Sequence, residues 1–199
     1  MSEIKLFGKW PMNVEVSDMG LRPYINLKPV VIPKSGGRLA SKQFHKSKMS
    51  IIERLMTKQM VPGHRSKKHV LTSGMVVGKW QTNYRFLNQA FDKIEKVTKK
   101  NPVEVLVKAI ENASTREEIA AYQVGGIIVR RAVITSPQRR VDLALRNITQ
   151  AAYRKSFGKK TTIADALADE IIAAYNYDLQ KSEAIKERDM TEKQAEGAR

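Results

Sequence analysis

Residues 119–134 interrupt a chain that otherwise repeats with helical period. Ile119 to Tyr122 and Ile127 to Ile134 are β-prone runs on either side of Gln123-Val124-Gly125-Gly126. Glycine supplies the positive φ that a tight hairpin turn demands. The pattern therefore predicts a β-hairpin at about 117–134 with its tip at Val124, Gly125 and Gly126. Helix signals stand on both sides of it. Asn101-Pro102-Val103-Glu104 reads as an N-cap, a first helical residue and an acidic third position. Leu106, Val107 and Ile110 carry that helix to about Asn112. After the second strand, Ser136 is placed as an N-cap and Pro137 opens a helix that turns Val141, Leu145, Ile148 and Ala152 inward. The fold class that follows is mainly α: a helical bundle of about six helices with an inserted protruding β-hairpin and an extended basic N-terminal arm.

The remaining helices follow from spacing. Met49, Ile52, Leu55 and Met56 share one face until Pro62-Gly63 stops the run. Asn83 is placed to cap a helix with the stripe Phe86, Leu87, Ala90, Phe91, Ile94 and Val97. Thr162 with Asp165 resembles a capping box, and Ile163, Ala166, Leu167, Ile171 and Ala174 follow on one face. A charged segment at 181–195 holds little apolar content and is expected to fray. Residues 1–46 contain four of the seven prolines, so they read as an extended arm ahead of a helical domain at 47–199. Leu6, Phe7 and Trp10 are its apolar anchors. With so few apolar residues, the arm is expected to order only on a partner.

Charge then selects the partner. The 199 residues carry a formal net charge of +16, and the excess is blocked. Residues 34–100 hold net +13 and residues 127–160 net +8, while 161–199 hold net −4. Such blocks point to a polyanion, with nucleic acid ahead of anionic lipid. The longest charge-free run is eleven residues, Ile119 to Val129, too short to span a bilayer. No membrane partner is expected, and MSEIKLFGKW lacks the apolar core of a signal peptide.

Composition also bears on chemistry. Zero cysteines exclude zinc held by thiolates, iron–sulfur clusters and thiol catalysis. His45, His64 and His69 lie among lysines and arginines, so no metal site is assigned. Asp165 and Asp169 share a helix face with Glu170 beside them, and are read as complementing the helix dipole. The phosphate-binding loop pattern GxxxxGK[ST] is missing, as is the nucleophile elbow GxSxG. The chain is read as no enzyme and as needing no cofactor. An aromatic RNA-reading sheet motif is also missing, so backbone recognition by Lys and Arg is expected, shape-dependent and salt-sensitive.

Candidate RNA contacts fall in four groups. Lys34, Arg38, Lys42, Lys46 and Lys48 are spaced about four apart and align if the stretch becomes helical on RNA. Arg65, Lys67 and Lys68 lie in the loop 62–81. Arg130 and Arg131 are neighbours in a strand and point to opposite faces, so at least one is open to a ligand. Arg139 and Arg140 sit in the first turn of a helix, where acids are the favoured residues. They make sense there if an external phosphate is held by backbone N–H groups and the guanidinium forks. Arg154, Lys155, Lys159 and Lys160 bracket Gly158 and extend the basic surface.

Several of these stretches together resemble a known family. Val124-Gly125-Gly126, Val133 to Ser136, Pro137, Gln138-Arg139-Arg140 and Leu143-Ala144-Leu145-Arg146 resemble the hairpin-to-helix signature of the small-subunit ribosomal protein S-seven family. So do Asn101 to Leu106 and Ala109-Ile110-Glu111-Asn112. Ile4 to Trp10, Ser35-Gly36-Gly37-Arg38 with Lys42 to Phe44, and Ala164 to Ile172 look like its archaeal and eukaryotic branch. The likeness is firmest from about residue 101 to 175. It implies a cytoplasmic ribosomal protein that binds the 3′ major domain of small-subunit rRNA and helps nucleate assembly of the subunit head. It implies a place near the mRNA exit, with the hairpin reaching toward the exit-site tRNA, and other head-region ribosomal proteins as neighbours. The chain differs in a longer loop at 62–81 and an acidic 176–199. The competing reading is an architectural DNA-binding protein whose hairpin arm grips a minor groove. The tip Val124-Gly125-Gly126 speaks against it, offering neither an intercalating proline nor an arginine.

Overall fold

A computed structural model describes residues 4–65, 68–69 and 74–199. Among them, seven helices and three short antiparallel ladders follow one another. The strands β1 (Lys5–Leu6) and β2 (Trp10–Pro11) come first, then α1 (His45–Lys48) and α2 (Ile51–Gln59). Strands β3 (His64–Arg65) and β4 (Lys68–His69) precede α3 (Trp80–Thr98) and α4 (Pro102–Ala113). The long hairpin is β5 (Glu117–Val124) with β6 (Ile127–Ile134). Helices α5 (Pro137–Ser156), α6 (Ile163–Tyr175) and α7 (Glu183–Glu196) complete the chain. The architecture is mainly α with an inserted β-hairpin, as the sequence predicts.

Helix α6 is the hub. It packs against α3, α4 and α5. Its buried residues include Ala164, Ala168 and Ala173 beside the expected stripe, so more than one face is covered. Alanine keeps the helices close, and a helix apolar on most sides belongs inside. Thr162 opens it as expected: its Oγ1 accepts from the Asp165 N–H at 3.1 Å and donates to the Asp165 carboxylate at 2.6 Å. Asn101 likewise caps α4, accepting from the Val103 N–H at 3.1 Å. Against these helices lie Leu87, Phe91 and Ile94 of α3 and Leu106 and Ile110 of α4, all fully buried. Each contributes roughly 1.5–3 kcal/mol through the apolar surface it withdraws from water.

The N-terminal segment runs extended, yet its first part belongs to the core. Leu6, Trp10, Met12, Leu21 and Ile25 join the same cluster as α2–α6. Trp10 stands edge-on to Phe91 at 5.6 Å between centroids, and its Nε1 donates to Glu95 at 2.9 Å. The sequence reading undercounted these anchors, because Met12, Leu21 and Ile25 are scattered between prolines and show no period. Residues 34–50 differ: none of them is buried.

Three local expectations are corrected. Asn83 lies inside α3, which starts at Trp80. Its buried Nδ2 donates to the Val76 and Lys79 carbonyls at 2.8 and 2.6 Å, fastening the helix to the turn before it. Val97 is 60% exposed, because α3 has left the core by its last turn. Helix α7 buries only Ala184, Ile185 and Ala195, and polar fastenings add to them. Buried Glu170 of α6 accepts from Ser182 Oγ and from the Ala184 N–H at the start of α7, and Arg188 donates to the Asn112 carbonyl at 2.7 Å. A carboxylate at a helix N-terminus also meets the positive end of the dipole. Asp165 and Asp169 both pair with Lys93, at 3.2 and 2.8 Å.

Candidate nucleic-acid interface

The hairpin joins α4 to α5 through Ser114–Arg116 and Thr135–Ser136. Its register pairs Glu117 with Ile134 through to Val124 with Ile127, leaving a two-residue turn. Gly125 and Gly126 have φ of +55° and +87°, the combination that a type I′ turn requires. Helix α7 covers the base of the hairpin, where Arg199 pairs with Glu117 and the Arg116 N–H donates to Glu192. From Ala121 to Arg131 every residue is exposed. Arg130 and Arg131 stand opposite Ala121 and Ala120, small neighbours that leave both guanidiniums open. The strand alternation thus exposes both arginines, on opposite faces.

The predicted cations divide by partner. Arg38, Lys42, Lys48, Arg130, Arg131, Lys159 and Lys160 make no ion pair among the described residues. The Lys34 ammonium stands 5.1 Å from the Trp80 ring centroid. Lys46 pairs with Asp142 of α5 at 3.0 Å. Arg154 pairs with Glu183 at 2.7 Å, and Lys155 with Glu170. Those two cations therefore tie α5 to α6 and to the start of α7, where the sequence reading had them extending the basic surface. Lys67 and the side chains of Arg65 and Lys68 lie outside the described residues.

The two arginines at the start of α5 also have carboxylates of their own. Arg140 donates to Asp18 at 2.8 Å and to Ser114 Oγ at 3.1 Å, with little exposure. Burial raises the Asp18 pKa, but the hydrogen bonds from Arg140 and Gly20 outweigh it and hold the group below its ordinary range. Arg139 forks onto Glu118 at 2.6 and 2.8 Å, and that bond raises its own pKa. Arginines in this first turn therefore do not need an external anion to explain them. Arg140 fastens the N-terminal segment to α5. Arg139 stays 55% exposed beside an uncapped helix start, for Ser136 occupies the N-cap position and its hydroxyl makes no capping bond.

The fold brings two sequence-distant groups together here. Gln43 and Phe44, Lys58 of α2, and Arg139, Asp142 and Arg146 of α5 line one groove. Asp142 is its partly buried acid. Burial pushes that carboxyl up, yet the Lys46 hydrogen bond and the charges of Arg54 and Lys58 hold it below its usual range. Arg54, with a side chain 3% exposed, reaches Asp142 at 3.2 Å and the Tyr24 carbonyl at 2.8 Å. The sequence reading missed Lys58 and Arg146. Arg146 was within reach of it, since 139, 142 and 146 follow the i, i+3, i+7 spacing of one helix face.

Cations without an ion pair among the described residues, on an exposed segment, on a hairpin and on the loop after α5, define a basic helical protein with a hairpin arm. Sequence comparison gives the class its name. The profile of ribosomal protein S7p/S5e matches residues 21–199, and the chain belongs to that family. The family is one of ribosomal structural proteins, not of enzymes, and its place is the ribosome in the cytoplasm. The chain is 50% identical over 198 residues to the small ribosomal subunit protein uS7 of Nanoarchaeum equitans, covering 99% of this chain and 100% of that one. It is 46% identical over 197 residues to the uS7 protein of Methanothrix thermoacetophila, covering 98% and 100%. With the corresponding protein of Methanococcoides burtonii the identity is 44% over 196 residues, covering 98% and 99%. These archaeal relatives agree with the branch that the N-terminal motifs resemble. No described helix is long and apolar enough to cross a membrane.

Proposed function

We propose that the chain binds the 3′ major domain of small-subunit rRNA and helps nucleate assembly of the subunit head. It lies near the mRNA exit among other head-region proteins, with its hairpin directed toward the exit-site tRNA. The observation that carries this reading is where the free cations sit. Arg38, Lys42 and Lys48 occupy a segment that buries nothing, and Arg130 and Arg131 occupy a hairpin end covered on neither face. Such cations add nothing to the core and repel one another until a polyanion meets them. Lys34, Arg139, Lys159 and Lys160 extend the same contact surface. At the tip, a side-chain Cβ at Gly125 or Gly126 would meet nothing within 4 Å, so a large partner can come close to the turn.

Ultraviolet crosslinking in cells, with sequencing of the attached nucleic acid, tests the proposal. Crosslinks concentrated in the 3′ major domain, with a minor set from the hairpin tip to tRNA, are the expected result. Crosslinks spread over DNA or unrelated RNAs would overturn it and bring the architectural DNA-binding reading forward.

A further inference from the structure

The groove between the N-terminal segment and α5 has a volume of about 570 Å³. That lies within the range of roughly 300–1,000 Å³ typical of small-ligand clefts. Three cations, Lys46, Arg54 and Lys58, gather around a single carboxylate, Asp142, and Arg146 lines the groove beside Lys58. Asp142 is already engaged by Lys46 and Arg54. Lys58 lines the same groove, half-buried, and makes no hydrogen bond or ion pair among the described residues. Burial lowers its pKa, and Lys46, Arg146 and Arg54 push the same way against Asp142. The site therefore holds more positive charge than it neutralises.

Two further features share the groove. Phe44 is 62% exposed and makes no ring contact among the described residues. A bare phenyl in water is a cost that a flat partner would remove. The first turn of α5 holds no acid and no capping side chain, so its N–H groups keep their partial positive charge. A half-buried cation with no hydrogen bond or ion pair among the described residues, an exposed ring and an open helix start match the two ends of a nucleotide.

We propose that this groove seats one unstacked nucleotide of RNA. Its phosphate lies on Lys58, Arg146 and the first turn of α5, and its base lies against Phe44. A nucleotide inside a duplex has no free base face, so the occupant comes from a loop, a bulge or a strand end. The inference rests on the RNA-binding reading above and adds a specific seat to it.

The test uses the full chain and a transcript of the 3′ major domain of small-subunit rRNA, with affinity measured over a range of salt. Phe44→Ala removes an exposed ring, leaves the thermal midpoint unchanged and weakens binding about tenfold, the scale of one base–aromatic stack. Its salt slope stays that of the wild type. Lys58→Gln reduces the slope of log K against log salt by about 0.7–0.9, the share of one phosphate. A crosslink from Phe44 to one unpaired nucleotide supports the seat directly. Wild-type binding with neither variant altered overturns the seat and leaves the RNA-binding reading standing. A change in Lys58→Gln alone reduces the groove to a phosphate contact and overturns the nucleotide. Wild-type protein that does not bind the transcript overturns both readings.

Discussion

The two parts of the N-terminal segment obey different physics. Residues 4–25 send Leu6, Trp10, Met12, Leu21 and Ile25 into the core and link Asp18 to Arg140 of α5. Residues 34–48 bury nothing and carry Lys34, Arg38, Lys42, Lys46 and Lys48. Both are rich in loop residues, and neither forms a long element. Apolar anchors spaced along an irregular chain are enough to order it, provided that a helical body offers the groove. The basic stretch without buried anchors leaves Arg38, Lys42 and Lys48 without an ion pair among the described residues, while Lys46 is spent on Asp142.

The strongest way to break this comparison is to remove an anchor. Trp10 is 3% exposed, stands edge-on to Phe7 and Phe91, and donates to Glu95. Trp10→Ala should cost about 3–5 kcal/mol, the range for large-to-small changes in a packed core. Urea unfolding checks it. A loss below about 1 kcal/mol would make the first part a loose arm after all, because surface changes stay near that size. Arg38→Gln in the second part serves as the control and should leave stability within about 0.5 kcal/mol.

The ion pair of the second part is the next test. Lys46 binds Asp142, and Asp142 also neutralises buried Arg54. Removing one partner of a buried pair strands the other charge, so Asp142→Asn should cost about 3 kcal/mol. The sign of the pH dependence follows from the lowered Asp142 pKa. A group whose folded pKa lies below its unfolded value stabilises fully above the unfolded value, here 3.8, and loses that contribution as pH falls through the folded value. Unfolding measured from neutral pH down into that acid range should show a fall in wild type that shrinks in the variant. An equal fall in both would assign the acid sensitivity to other carboxylates, such as Asp18 and Asp165.

The same contrast separates what the sequence could reveal from what it could not. The hairpin, the Asn101 and Thr162 caps and the α5 stripe were legible because each is local: a Gly-Gly turn, a capping residue, a fixed period. Met12, Leu21 and Ile25 were not, because nothing periodic marks a residue that fills a groove made by distant helices. Glu170 was misread for a similar reason. It sits midway along α6, yet its carboxylate serves the start of α7, twelve residues on from it at Ser182. At the interface, charge blocks located the basic segments but could not say which cations find carboxylates inside the fold. Arg140, Arg154 and Lys155 do so, while Arg38, Lys42, Arg130 and Arg131 do not. Pairing across such sequence distances is a property of packing, and only the folded chain displays it.

Adjacent arginines on α5 restate the comparison at the scale of two residues, and they set the smallest expected effect. Arg140 turns toward the first part and is mostly buried on Asp18, whereas Arg139 faces the groove beside the second part and is 55% exposed on Glu118. An exposed ion pair is worth about 0.2–1 kcal/mol, because water screens it and two side chains lose freedom, and the bidentate fork puts this one at the upper end. Arg139→Gln should therefore shift the urea midpoint by no more than that amount. Its larger effect should fall on RNA, where one lost phosphate contact lowers the salt slope by about 0.7–0.9. Glu118→Gln frees Arg139 from its carboxylate and should leave that slope intact while raising affinity slightly, since the arginine no longer has to exchange one anion for another. A stability loss above about 2 kcal/mol in Arg139→Gln, with RNA binding unmoved, would place Arg139 beside Arg140 as a brace between hairpin and body, because only a buried, desolvated pair costs that much to break.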